Sequence, residues 1–219
     1  MARVNAERIS QGLTPVSMNT GAYCRARNRL SEELLHSLEK DSGANLESEA
    51  LKDWLWKSRR VKLIDGSTVS MPDTVANQAE YPQQAAQKKG LGFPIARLVA
   101  VLSLNTGAVL DLSLGAYQGK LTGEHALLRN LFGSFEAGDV ALADAYYCLY
   151  FLIAILQAIG VDMVCRLHGA RRSDFRQGER LNKGDHIVIY ERPERPDWMS
   201  KKMYEVECGR LIGSHVPKG

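Results

Sequence analysis

The sequence predicts an α/β domain in which a mixed sheet is flanked by helices. Three observations carry that expectation. From Val61 onward short apolar runs replace helical periodicity. Two of those runs, VKLIDGST (61–68) and DVALADAYY (139–147), carry an aspartate where the apolar stretch closes, Asp65 and Asp144. Strand-like and helix-like segments then alternate as strand, hairpin pair, helix, strand, helix, strand, the pattern of a sheet covered by helices. With 219 residues and 45% hydrophobic content the chain can bury one large domain, or a domain with an appendage.

The first sixty residues read as a helical leader. Leu30, Leu34, Leu35 and Leu38 recur at three- and four-residue spacing behind a capping Ser31 and the first-turn acids Glu32 and Glu33, and Gly43 is expected to end that helix. Residues 61–170 form the expected core. VKLI is its first strand, and residues 72–92, rich in turn formers, read as a loop. Residues 95–104 are apolar on both faces, which places them inside a covered sheet, and a hairpin over 105–108 leads to a strand at 109–114. Thr122 is positioned to cap a helix running to Phe132 that Gly133 stops. A strand at 139–143, a buried helix at 147–159 and a strand at 161–167 complete the core. Beyond it, 171–219 combines a basic segment, a strand at 185–190 and a final stretch of little regular pattern.

A strand holds its side chains more rigidly than a loop does, so carboxylates on neighbouring strands can meet the spacing a divalent cation demands. Asp65 and Asp144 therefore point to metal-dependent phosphoryl chemistry. Each also has a plainer reading: Asp65-Gly66 as a turn, Asp144 as a cap for the following helix. Asp73 is expected to close a turn after Pro72, and Asp111 to face solvent. Leu127, Leu128, Leu131 and Phe132 read as core, and His125 and His168 as polar contacts.

Composition excludes several classes. The longest apolar stretch, 148–159, is broken by Gln157 and is shorter than the roughly 18 residues of a membrane span. The N-terminus lacks the apolar segment of a secretory signal, which predicts a cytoplasmic protein without a membrane partner. Cys24, Cys148, Cys165 and Cys208 lie too far apart for a zinc cluster. Net charge is only +3, yet residues 166–183 hold six basic side chains (Arg166, Arg171, Arg172, Arg176, Arg180, Lys183) against Asp174 and Glu179. With Lys88, Lys89, Arg59 and Arg60 these can track a DNA backbone, the plainer reading being a solvated basic surface. Trp54, Trp56 and Trp198 can stack on bases, but burial of the first two is expected.

The blocks DGSTVSMPDT, KKGLGFPIARLVAVLSLNTGAVLDLSLG, TGEHALLRNL and DVALADAYYCLYFLIAILQAIGVD, in this order, resemble the catalytic domain of bacterial insertion-sequence transposases of the DDE type. TPVSMNTGAYCRARNRL resembles the segment preceding that domain, so the likeness covers roughly residues 14 to 200. The resemblance implies a ribonuclease H-like fold with a partial β-rich insertion. It also implies Asp65 and Asp144 as the first two metal-binding catalytic acids, Mg2+ or Mn2+ as cofactor, and double-stranded DNA, both transposon ends and target, as partner. Lys88, Lys89, Arg166, Arg171, Arg172 and Arg176 would be the DNA contacts, and a homodimer in a synaptic complex the working assembly.

The chain departs from the family pattern twice. Ala145 stands where the family commonly has Arg directly after the second acid. The third acid, a Glu in a Tyr-two-Arg-three-Glu pattern, is not found, which implies a chain ending inside the insertion. Transposition by cleavage and strand transfer is thus set beside two rivals. One is an inactive truncated relative that binds DNA or pairs with full-length transposase and inhibits it. The other is a nuclease of the same fold.

Overall fold

The computed structural model describes residues 2–167, 178–182, 185–206 and 211–215. The chain divides into two compact units, Met1–Glu39 and Lys40–Gly219.

The first unit is helical, as its composition predicts. It contains α1 (Ala2–Ser10), α2 (Gly21–Arg27) and the start of α3 (Glu32–Ser48). The segment after α1 folds back on it: Asn5 exchanges two 2.8 Å hydrogen bonds with the Val16 backbone. Ser31 Oγ accepts from the Leu34 amide at 3.2 Å, the expected cap. Leu34, Leu35 and Leu38 are nevertheless exposed.

Gly43 does not end α3. The helix continues to Ser48, and the glycine serves a close approach instead. A Cβ there would come within 2.2 Å of the Val109 carbonyl oxygen.

The second unit is built on a five-stranded mixed sheet in the order β3-β2-β1-β4-β5. Its strands are β1 (Val61–Ser70), β2 (Ile95–Ser103), β3 (Val109–Ala116), β4 (Val140–Ala143) and β5 (Asp162–Cys165). β1 pairs antiparallel with β2, and β2 with β3, while β1, β4 and β5 run parallel. The order and directions are those of a ribonuclease H-like sheet. The strands predicted at 61, 95, 109, 139 and 161 are all present.

β1 runs further than its apolar pattern suggests. Asp65 and Gly66 are mid-strand, because β2 continues to pair with β1 as far as Ser70 opposite Ile95. The loop expected over 72–92 contains a short helix, α4 (Val75–Glu80), whose first turn is capped by Thr74 Oγ1 accepting from the Asn77 amide. Its six residues are too few to show a periodic apolar pattern.

One face of the sheet is covered by α5 (Glu124–Arg129) and α6 (Tyr150–Ala158), which together with the strands bury Ile64, Val99, Leu128, Tyr147 and Leu156. Leu127 and Leu131 are buried as the apolar stripe predicts, and Phe132 packs against them. α5 is shorter than expected: Gly123 occupies its N-cap, and Thr122 donates instead to the Gly119 carbonyl. The helix expected over 147–159 begins at Tyr150, because a 3-10 turn, Ala145–Tyr147, intervenes after β4.

Asp111 departs from expectation most sharply. It is 2% exposed, not facing solvent. Lys40 Nζ lies 2.8 Å from its Oδ2, and Ser134 Oγ donates to the same oxygen at 2.8 Å. A register shift between Val101 and Leu102 breaks the simple alternation from which an outward face would be read.

A second sheet, β6-β7-β8, follows, with β6 (Glu179–Asn182), β7 (Asp185–Tyr190) and β8 (Leu211–His215). β8 falls in the tail read as irregular, and its pairing with β7 rather than its own pattern makes it a strand. Between them α7 (Lys201–Val206) follows Met199, which packs with Tyr150, Ala154 and Ile155 of α6. No described helix is long and apolar enough to cross a membrane.

Candidate active site

The parallel pairing of β1 and β4 sets the site. Ile64 lies opposite Ala143, the last matched pair, and Asp65 and Asp144 each directly follow a member of that pair. Asp65 continues β1 beyond that pair, whereas Asp144 leaves β4 and caps the 3-10 turn Ala145–Tyr147. Ala143 in turn lies opposite Cys165 on β5, and Arg166 directly follows that pair. All three, Asp65, Asp144 and Arg166, are exposed, Asp65 within β1 and the other two just beyond β4 and β5.

Each aspartate is fixed by one local hydrogen bond. Asp65 Oδ1 accepts from the Gly66 amide at 2.9 Å, and Asp144 Oδ1 accepts from the Tyr146 amide at 2.9 Å. The capping role open to Asp144 is thus real, and it engages one oxygen of two. Among the described residues neither aspartate has an ion-pair partner. Exposed carboxylates are hard oxygen donors of the kind Mg2+ or Mn2+ takes, so the donor chemistry fits a divalent cation.

Two further groups belong to this region. Glu124, at the start of α5, accepts a 3.0 Å hydrogen bond from the Tyr147 hydroxyl on Oε2, and its Oε1 lies 3.9 Å from Arg97 Nε. Burial raises the Tyr147 phenol well above its ordinary value, and the charge and hydrogen bond of Glu124, then the charges of Asp65 and Asp144, push it in the same direction. Sequence reasoning missed both residues. Glu124 reads as a first-turn helix acid and Tyr147 as the start of a buried helix. The only local signal was Gly66, which leaves room where a side chain would otherwise stand.

The remaining predicted residues divide. Lys88 and Lys89 are exposed on the loop before β2. Arg171, Arg172 and Arg176 lie outside the described residues, as do His168, Lys183 and Cys208. Arg59 and Arg60 are engaged at the opposite end of β1: Arg59 bonds the Gly138 and Asp139 carbonyls and pairs with Asp162 at 2.7 Å, and Arg60 pairs with Glu136 at 3.3 Å. Trp54 and Trp56 are half exposed, not buried as expected, and Arg129 stacks over Trp198 at 4.2 Å. His125 makes the polar contact predicted for it, 2.9 Å from the Tyr146 carbonyl.

The sheet is of the ribonuclease H-like kind, with one aspartate on its central strand β1 and another directly after β4. Residues 56–208 match the family model of the transposase DDE domain, well over half of the chain. The chain belongs to that family, whose members act on DNA in transposition and generally use divalent metal. No curated protein matches the chain significantly.

Proposed function

We propose that the chain carries the metal-dependent centre of an insertion-sequence transposase, cleaving DNA at the element ends and joining the liberated 3′-hydroxyl to target DNA. The observation that supports this reading is the parallel pairing of Ile64 with Ala143, the residues directly before Asp65 and Asp144. Asp65 and Asp144 would hold the divalent cation, Mg2+ or in its place Mn2+. When bound, the ions activate the attacking oxygen and stabilise the leaving one. The chain's own residues align the DNA. Arg166, directly after β5, holds a backbone phosphate beside the acids. Lys88 and Lys89 extend that grip, and Arg171, Arg172 and Arg176 continue it. A homodimer pairs two element ends.

Incubation of the purified chain with supercoiled DNA bearing the element ends and Mg2+ tests this. Nicking that Asp65→Asn abolishes is the expected result, and products joined to a target plasmid extend it to strand transfer. Nicking without joining would reduce the protein to a nuclease. Binding with no nicking above the Asp65→Asn control would leave only a DNA-binding role.

A further inference from the structure

We propose that Glu124 is a positioning residue for the aspartate pair, acting through the Tyr147 hydroxyl and the glycine that follows Asp65; this rests on the metal-site reading above. A Cβ on Gly66 would fall 2.5 Å from Glu124 Oε2 and 2.8 Å from Tyr147 Oη, so the bonded carboxylate and phenol sit directly on the Gly66 backbone. By strand alternation Gly66 faces the side on which Ile64 is buried, and Asp65 faces the other. Contact from α5 onto Gly66 therefore fixes the strand from behind the acid.

The same hydrogen bond reaches the second aspartate. Tyr147 ends the 3-10 turn that Asp144 caps by accepting from the Tyr146 amide. Its side chain is 1% exposed, so the phenol depends on a protein acceptor, and Glu124 supplies it at 3.0 Å. Arg97 steadies the carboxylate from β2: its Nε lies 3.9 Å from Oε1 and its Nη1 donates to the Thr122 carbonyl at 3.1 Å. One carboxylate thus ties together the start of α5, the β1 backbone beside Asp65 and the turn after Asp144. Residues that orient metal ligands without touching the metal typically change its affinity by about 10- to 100-fold.

The test is a titration of the full chain with Mn2+ alone, reading unbound aquo Mn2+ by electron paramagnetic resonance, with circular dichroism on every variant. Tyr147→Phe and Glu124→Ala are expected to raise the Mn2+ Kd roughly tenfold. Glu124→Gln, which still offers the phenol an oxygen acceptor, is expected to stay close to wild type. If Tyr147→Phe fails to fold, the two Glu124 variants carry the comparison. Unchanged affinity in Tyr147→Phe and Glu124→Ala would overturn the proposal, as would Glu124→Gln binding as weakly as Glu124→Ala. An absence of Mn2+ binding by the wild type, or binding indifferent to Asp65→Asn, would remove the metal-site reading itself, and this inference with it.

Discussion

Lys62 and Asp139 form an ion pair inside the second unit, with Nζ 2.6 Å from Oδ2 and both side chains almost wholly buried. Lys62 also donates to the Ser134 carbonyl at 2.7 Å, and Asp139 accepts from the Glu136 amide at 2.8 Å. The pair ties β1 to the residue that precedes β4, three residues before Asp65 on the first strand and five before Asp144 on the second. It thereby anchors the β1–β4 register just before both acids. Removing one partner strands a buried charge, so Lys62→Met is expected to cost about 3–5 kcal/mol in urea unfolding. Combining it with Asp139→Leu should recover much of that loss. A single substitution within 1 kcal/mol of wild type, roughly the worth of a surface pair, would contradict this role.

Tyr147 predicts an alkaline signature. Its folded-state phenol is raised by burial first and by Glu124, Asp65 and Asp144 after it. The folded chain therefore keeps a proton that the unfolded chain releases above about pH 10. Its contribution is complete below that value and declines as pH rises beyond it. The stability difference between wild type and Tyr147→Phe should shrink by about 1.4 kcal/mol per pH unit there. Urea midpoints of both proteins from pH 8 to pH 11 measure it, and a constant difference would contradict the assignment.

Arg166 predicts a salt effect. If it neutralises one backbone phosphate, Arg166→Ala should weaken binding to DNA of any sequence and reduce the slope of log affinity against log salt by about 1. Fluorescence anisotropy across a salt series gives that slope. An unchanged slope would remove the phosphate contact.

The parts of this fold that were legible in the sequence depend on local pattern. Apolar runs marked all five core strands, because strand identity is written in neighbouring residues, whereas the end of β1 was not, since β2 carries it past Asp65 to Ser70. What was not legible depends on contacts between distant segments. Gly43 reads as a helix stop, yet it lies mid-helix because the Val109 backbone passes against it. β8 has little pattern of its own and is a strand by virtue of β7. Asp111 looked solvent-facing until a register shift and the Lys40 ammonium placed it inside. Glu124 carried only a first-turn signal, and its place over Gly66 arises from the packing of α5 on the sheet.

Sharing of one divalent cation by Asp65 and Asp144, as proposed, can be read directly from metal-centred cleavage. Loading the chain with Fe2+ and adding ascorbate and peroxide generates hydroxyl radicals at the bound metal, and mass spectrometry locates the backbone cuts. Two clusters of cuts are expected, one around residue 65 and one around residue 144, both suppressed by excess Mg2+ and both lost together in Asp65→Asn. Cuts at only one of the two strands, or a pattern that Asp65→Asn leaves intact, would contradict it.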